Sequence, residues 1–160
     1  MIWFWHQTGL LFHKLLKMET AAQLKIFVVD DDLFSLNMYQ QHLSNLGFEN
    51  VKTFDNGTAC LLCLTEQPDI IFLDHGMDIL NGVEVLKKIK RFNPDIYVVF
   101  ISGQADVLTA VNSLKFGAFD YIKKGDDDLR MIEKVMEKIQ EIMVLMQKKK
   151  KGLLKKLFTA

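Results

Sequence analysis

The chain has 160 residues, of which 49% are hydrophobic and 25% charged, and its formal net charge is zero. This composition is typical of a globular protein, and the length leaves little room for a second folded domain. The charge is unevenly distributed, because residues 19–128 carry a net −8 and residues 129–160 a net +6. The acidic body argues against direct DNA binding by the domain, since nucleic-acid binding needs basic side chains against phosphates.

The first 17 residues are aromatic and apolar, but they are too short and too interrupted to span a bilayer. They also lack the basic start and small-residue cleavage site of a signal peptide. Two interpretations stay open: an interfacial membrane anchor containing Trp3 and Trp5, or sequence upstream of a natural start at Met18, which we favour. We therefore divide the chain into an N-terminal extension (1–23), one domain (24–147) and a basic tail (148–160).

Five strand-like runs alternate with helix-like segments, which predicts a parallel sheet with crossover helices. The predicted strands are Lys25–Val29, Val51–Phe54, Ile70–Leu73, Ile96–Ile101 and Tyr121–Lys123. The predicted helices cover residues 33–46, 55–66, 83–91 and 106–116, and a last one begins at 127 or 128.

Local signals predict where several of these helices begin and end. Asp32 and Asp55 are expected to cap the first and second helices, and Gly47 to end the first. The run Lys148–Lys151 with Gly152 is expected to interrupt the last helix, leaving a short basic and apolar tail. We favour a frayed solubilising tail over one that binds a partner or an anionic membrane.

The two cysteines, Cys60 and Cys63, lie three residues apart in an apolar stretch that is predicted to be helical. No further metal ligands follow at the usual spacings. A redox CxxC motif normally opens a helix, whereas this pair lies inside one. We therefore expect two buried structural thiols.

Four of the predicted strands end on residues suited to phosphate chemistry. The carboxyl ends of adjacent parallel strands converge on one crevice, so these residues are expected to meet there. They are Asp30, Asp31, Asp74, Ser102 and Lys124.

The chemistry of this set indicates phosphoryl transfer. Clustered carboxylates repel one another unless a cation lies among them, and Mg²⁺ prefers oxygen ligands, so Asp30, Asp31, Asp74 and the backbone carbonyl of Gly76 form a predicted magnesium site. The Lys124 ammonium can neutralise phosphoryl oxygens while a carboxylate attacks. The predicted product is an aspartyl phosphate on Asp74, hydrogen-bonded by the Ser102 hydroxyl.

Several motifs resemble the receiver domain of bacterial response regulators, over about residues 24–145. The motifs are residues 25–32, residues 69–74 with Met77 and Asn81-Gly82 behind them, Ser102, and residues 117–124. The resemblance implies a (βα)5 flavodoxin-like fold, a doubly wound parallel five-stranded sheet in the order 2-1-3-4-5. It also implies a cytoplasmic signalling switch that takes its phosphoryl group from a histidine kinase or a histidine phosphotransfer protein, and that is a phosphoacceptor rather than an enzyme.

The resemblance assigns a role to each matching residue. The phosphoacceptor is Asp74, the magnesium acids are Asp30 and Asp31, the phosphate-binding lysine is Lys124, and the switch pair is Ser102 and Tyr121. Phosphorylation in this family remodels the face of the fourth helix and fifth strand. Together with the fifth helix, that face is the expected contact for a downstream target and for a homodimer.

The sequence departs from the family pattern at two positions. Asp78 and Gly125 each stand where the family usually has proline, which affects the loop beside Asp74 and the presentation of Lys124. Gly76 and Gln104 occupy positions that influence water access to the phosphoaspartate. We expect dephosphorylation that is not unusually slow.

Other interpretations of the same residues remain open. The chain could be a receiver-like scaffold that is not phosphorylated. The run Asp30-Asp31-Asp32 also begins like the motif of haloacid-dehalogenase phosphatases, although Phe34 and the short chain argue against that class. A flavodoxin-like FMN carrier would need a Ser/Thr/Gly-rich loop where this chain has acids.

Two further expectations concern the site and the chain as a whole. We expect His75 to face solvent in a loop. We also expect the chain to act as a stand-alone receiver.

Overall fold

Five parallel strands form the single sheet of the computed structural model, which describes residues 23–77, 81–103 and 107–158. The strands are β1 (Lys25–Val29), β2 (Asn50–Phe54), β3 (Ile70–Asp74), β4 (Tyr97–Ser102) and β5 (Asp120–Lys123). Their order is β2-β1-β3-β4-β5, with β1, β3 and β4 in the interior of the sheet. The predicted fold class and strand order are confirmed.

Within the described ranges, five α-helices flank this sheet. They are α1 (Leu33–Asn45), α2 (Gly57–Leu62), α3 (Gly82–Phe92), α4 (Val107–Lys115) and α5 (Asp128–Phe158), and a short 3₁₀ helix, Leu64–Glu66, follows α2. Apolar residues of α1 and α5 pack on one face of the sheet, and those of α2 and α3 on the other. Each face therefore has its own hydrophobic core.

The strands supply both cores because successive side chains point to opposite faces. In β1, Ile26 and Val28 belong to the α1/α5 core, whereas Phe27 and Val29 belong to the α2/α3 core. All five residues of β3 are buried, as expected for an interior strand covered on both sides. This double coverage fixes the strands whose carboxyl ends carry the polar residues.

The helix ends agree with the sequence at two positions and differ at a third. The Asp32 carboxylate caps α1 by accepting hydrogen bonds from the backbone N–H groups of Phe34 and Ser35, and Gly47, at φ +91°, follows its last turn. The prediction that Asp55 caps α2 is wrong. The cap is Asn56, whose side-chain oxygen accepts from the Ala59 N–H at 2.8 Å, because the cap must directly precede the first helical turn.

The prediction of two buried thiols holds for Cys60 alone. Cys60 is fully buried, and burial raises the pKa of its thiol to about 12. Cys63 is half-buried, and its Sγ accepts a hydrogen bond from Lys52 Nζ at 3.6 Å. The difference arises because Cys63 lies at the end of α2, where the chain turns into the 3₁₀ helix.

The predicted interruption of the last helix at residues 148–152 is also wrong, because α5 continues without a break to Phe158. Lysine is a good helix former, and one glycine in a helix costs only about 1 kcal/mol relative to alanine. No helix within the described ranges is long and apolar enough to cross a membrane. The predictions made for residues 1–22, for Asp78 and for Gln104 concern positions outside the described residues.

Candidate functional site

Three carboxylates meet at the carboxyl end of β1 and β3. Asp30 directly follows β1 and Asp74 is the last residue of β3, and these strands are paired neighbours with Val29 opposite Leu73. Asp30 and Asp74 are only 1% and 5% exposed, whereas Asp31 is exposed. One oxygen of each of the three side chains lies within 4.8 Å of the other two. The structure therefore assembles the acidic cluster that the sequence predicted.

Lys124 reaches this cluster from the end of β5. Its Nζ lies 2.7 Å from Asp30 Oδ2 and 2.8 Å from Asp74 Oδ1. The Lys124 backbone N–H donates to the Ser102 carbonyl at 2.8 Å, which fixes the start of the side chain beside the end of β4. The long side chain thus extends across β4 to bridge both buried acids.

The charges in this cluster do not balance. Burial raises the pKa of Asp30, and the neighbouring Asp74 carboxylate adds to the rise, against the opposing hydrogen bond from Lys124. Burial also works against the Lys124 ammonium, but its hydrogen bonds to Asp30 and Asp74 outweigh burial and raise its pKa. Three ionised carboxylates facing one ammonium leave an excess of two negative charges. A divalent cation has the charge and the preference for oxygen ligands to balance that excess.

Backbone N–H groups orient the two buried carboxylates. Gly76 N–H donates to Asp74 Oδ2 at 2.6 Å, and Asp32 N–H donates to Asp30 Oδ1 at 3.0 Å. The predicted contribution of Gly76 was its carbonyl, as a metal ligand. The structure brings Gly76 to Asp74 through its amide, and the role of the carbonyl stays a prediction.

Gly82 allows the start of α3 to approach the backbone of Asp74. A Cβ atom at this position would lie 2.6 Å from the Asp74 carbonyl oxygen and 3.0 Å from His75 Cα. Atoms this close would force the backbone to shift, so only glycine fits. Gly82 thereby allows the chain to pass directly beside the backbone of Asp74 and His75.

The loop after Lys124 is held by a buried hydrogen-bond network that the sequence analysis missed. The Asp128 carboxylate accepts from the Tyr39 hydroxyl at 2.8 Å and, at a longer 3.4 Å, from the Gly125 N–H. Asp128 N–H donates to the Gly125 carbonyl at 3.2 Å, which closes the turn. A buried tyrosine hydroxyl needs a hydrogen-bond partner. Tyr39, which is buried in α1, was therefore the residue in the sequence that could have indicated this network.

The two predicted switch residues lie at the same end of the sheet. Ser102 is buried at the end of β4 and follows Ile101, the register partner of Asp74. Tyr121 in β5 is half-buried and packs against the α2/α3 core. Ser102 therefore ends the strand between the acidic cluster and β5, and Tyr121 lies in β5 itself, at the edge of the sheet.

The expectation that His75 faces solvent is wrong. Its ring is half-buried, with its centroid 6.0 Å from that of Phe100. Among the described residues, no group makes a hydrogen bond with His75 Nδ1, which is enclosed. The ring is drawn inward because His75 N–H donates to the Ile101 carbonyl at 3.2 Å, which keeps the chain against β4.

Apolar side chains are exposed beside the site, a feature that the sequence analysis did not single out. Leu33 and Phe34 open α1 immediately after the acidic run, and Phe34 is 73% exposed. Helix α4 exposes Leu108, Val111 and Leu114. Large apolar side chains grouped on a surface are typical of protein contacts.

Comparisons with known proteins establish the class to which this fold and cluster belong. The family model described as the response regulator receiver domain matches residues 26–136. The chain belongs to this family, which the sequence analysis had predicted. It is therefore a receiver domain of the kind found in two-component signalling.

Similar proteins occur among both curated sequences and solved structures. The transcriptional regulatory protein ZraR of Klebsiella oxytoca is 39% identical over 109 residues, which cover 68% of this chain and 24% of that protein. The receiver domain of NtrX from Brucella abortus matches with a TM-score of 0.66 at 32% identity, covering 73% of this chain and 98% of that one.

A receiver domain protein described as CheY-like, from Methanospirillum hungatei JF-1, matches with a TM-score of 0.67 at 29% identity, covering 74% of this chain and 96% of that one. The chain spans about a quarter of the length of the curated relatives that it matches.

Proposed function

We propose that this protein is a phosphorylation-dependent switch that accepts a phosphoryl group on Asp74 from a histidine kinase or a histidine phosphotransfer protein. The observation that carries the proposal is the Lys124 ammonium, which bridges the buried Asp30 and Asp74 inside a cluster that lacks two positive charges. Such a site attracts a dication and can then receive an anionic group. A structural ion pair alone would need no third carboxylate.

Asp30, Asp31 and Asp74 fit a magnesium ion, because each offers one carboxylate oxygen and the three oxygens lie close together. Bound there, the ion supplies positive charge that neutralises the oxygens of the incoming phosphoryl group. The Gly76 carbonyl is the proposed backbone ligand. We assign every other step of the phosphoryl transfer to side chains of this protein.

Asp74 is the proposed nucleophile. One carboxylate oxygen attacks the phosphorus of a phosphohistidine, the P–O bond to Asp74 forms, the P–N bond breaks, and the electron pair of that bond leaves with the imidazole. Lys124 then exchanges part of its contact with Asp74 for a contact with the phosphoryl oxygens. The domain catalyses only its own phosphorylation and dephosphorylation, and we class it as a regulator rather than an enzyme.

The signal leaves through protein contacts. We propose that the Ser102 hydroxyl moves to the new phosphoryl group and that Tyr121 turns inward, which changes the surface of α4, β5 and α5. The exposed Leu108, Val111 and Leu114 on α4 suit a target protein or a second copy of the chain. Leu33 and Phe34, beside the acids, suit the phosphodonor protein, which must bring its histidine within bonding distance of Asp74.

The proposal places the protein in the cytoplasm, where the resemblance implies that its phosphodonor works. We propose no direct DNA contact for the domain, because residues 19–128 carry a net −8.

The test is to incubate the protein with Mg²⁺ and acetyl phosphate and to record its intact mass. We expect an acid-stable, base-labile gain of one phosphoryl group that requires Mg²⁺. Asp74→Asn should abolish the gain. Asp55→Asn is the matched control, because Asp55 is also an acid at the carboxyl end of a strand but lies outside the cluster, and it should be phosphorylated as the wild type is.

Two results would overturn the proposal. Equal modification of wild type and Asp74→Asn would place the acceptor elsewhere, and no modification together with no response of Tyr121 fluorescence to beryllofluoride would indicate a scaffold that is not phosphorylated. Release of many equivalents of phosphate from p-nitrophenyl phosphate would instead indicate a phosphatase of the haloacid-dehalogenase type.

A further inference from the structure

Helix α5 extends well past the core that it helps to form. Met143 still packs against the α1/α5 core, but Leu145 and Met146, two and three residues later, are 65% and 62% exposed. The backbone remains helical for fifteen residues beyond Met143, to Phe158, which corresponds to about 22 Å at 1.5 Å per residue. We call residues 144–158 the distal helix.

The distal helix combines basic and apolar residues and contains no acid. Its six lysines are Lys148, Lys149, Lys150, Lys151, Lys155 and Lys156, and its apolar residues are Val144, Leu145, Met146, Leu153, Leu154, Leu157 and Phe158. Positions 146, 153 and 157 follow one another at spacings of seven and four, which is the spacing of one side of a helix. This pattern is typical of basic amphipathic helices that lie in a membrane interface.

The rest of the chain does not cancel this positive charge. Residues 19–128 carry a net −8, but the Debye length at physiological ionic strength is only about 8 Å. The lysines begin five residues beyond Met143, and the exposed Lys148, Lys149 and Lys150 contact solvent. An anionic surface that approaches this part of the helix therefore meets the positive charges of Lys148, Lys149 and Lys150.

We propose that the distal helix binds the surface of membranes rich in anionic phospholipid and so holds the receiver domain at that surface. The charge pattern favours this partner over a second copy of the chain, because two distal helices side by side would oppose lysine to lysine. It favours lipid over nucleic acid because phosphates alone do not use the seven apolar residues. The proposal goes beyond the phosphorylation switch and does not depend on it.

The test is co-sedimentation of the full chain with vesicles of phosphatidylcholine, with or without phosphatidylglycerol. Binding should require phosphatidylglycerol and weaken as salt is added. Lys149→Gln/Lys150→Gln should weaken binding about 30-fold, since each lysine near an anionic surface contributes about a fivefold affinity. The matched control is Lys88→Gln/Arg91→Gln on α3, two exposed basic residues whose loss should leave binding nearly unchanged.

A second variant separates the apolar contribution from the charge. Leu153→Ser/Leu157→Ser should lose the binding that persists at high salt while keeping its circular dichroism and thermal unfolding. Equal binding to pure phosphatidylcholine, an equal loss in the α3 control, or undiminished binding in both distal variants would overturn the proposal. Binding of a double-stranded DNA fragment as tight as that of the anionic vesicles would overturn it in favour of nucleic acid.

Discussion

The two ends of the sheet treat charged side chains in opposite ways. At the amino end, Lys25 N–H donates to the Asp69 carboxylate at 2.9 Å, and Lys90 Nζ donates to the Pro94 and Ile96 carbonyls at 3.1 and 2.6 Å. At the carboxyl end, Asp30 and Asp74 share the ammonium of Lys124, and Asp31 lies close to both acids.

The first arrangement satisfies polar groups and stabilises the fold. The second leaves charge uncompensated and provides a place for ions. The difference indicates that this fold accepts a local cost in stability at the acidic cluster. Changing one end of the sheet at a time tests that contrast.

The largest expected effect follows from removing the ammonium. Lys124→Met leaves two buried carboxylates without a counter-charge, which should lower the free energy of unfolding by about 3 to 5 kcal/mol at neutral pH in EDTA. Lys90→Met at the amino end is the control and should cost about 1 kcal/mol, because the carbonyls that lose Lys90 can turn to water. Urea denaturation measures both, and equal losses would contradict the contrast.

The next effect concerns the network that holds the loop after Lys124. Tyr39→Phe removes the hydroxyl that donates to the buried Asp128 carboxylate, which should cost about 1 to 3 kcal/mol. Loosening this loop should also slow phosphorylation by acetyl phosphate. Tyr97→Phe, at the amino end of β4, should change stability less and leave the phosphorylation rate unaltered. A Tyr39→Phe protein with wild-type stability and rate would show that the network does not hold Lys124 in place.

Magnesium should stabilise the protein by binding at the carboxyl end of the sheet and not at the amino end. An ion present at ten times its dissociation constant stabilises the folded state by about 1.4 kcal/mol. Thermal unfolding with and without MgCl₂ should show this gain in wild type and in Asp69→Asn. The gain should be absent from Asp31→Asn if Asp31 supplies one of the three oxygens, and an undiminished gain there would remove Asp31 from the site.

Removal of one buried charge should stabilise the protein by a smaller amount. Because the pKa of Asp30 is raised in the folded state, its ionised form is disfavoured there, and Asp30→Asn should raise the free energy of unfolding in EDTA. Asp69→Asn keeps its hydrogen-bond acceptor and should change stability by less than about 0.5 kcal/mol.

The sign of the pH dependence follows from the same shift. The folded protein binds a proton at Asp30 more tightly than the unfolded chain does, so protonation of Asp30 stabilises the folded state. This stabilisation is fully present below the unfolded pKa of 3.8 and is lost as the pH rises through the raised pKa of the folded state. The stability difference between Asp30→Asn and wild type should therefore grow with pH across that window, and a difference that is constant with pH would contradict the assignment.

Much of the fold was predictable because the signals were local and repeated. Uninterrupted apolar runs such as Ile70–Leu73 indicate interior strands, and placing Asp30, Asp74 and Lys124 directly after such runs predicts their meeting at one edge of the sheet. The sequence therefore predicted both the acidic cluster and the residues that form it.

The features that the sequence analysis missed depend on contacts between distant segments. The Tyr39–Asp128 hydrogen bond joins residues 89 positions apart, and neither residue type specifies the other. The inward position of His75 depends on its backbone hydrogen bond to Ile101 in β4. Patterns within a short window do not contain this information.

The alternation of side chains along β1 sets a strict limit on insertions and deletions. Ile26 and Val28 face one core, and Phe27 and Val29 face the other. Asp30 directly follows the last residue of the strand. Deleting one residue within this strand would exchange the two cores and shift the acidic run by one register position. The number of residues in this strand is thus a quantity that insertions and deletions must preserve if the acidic run is to keep its place.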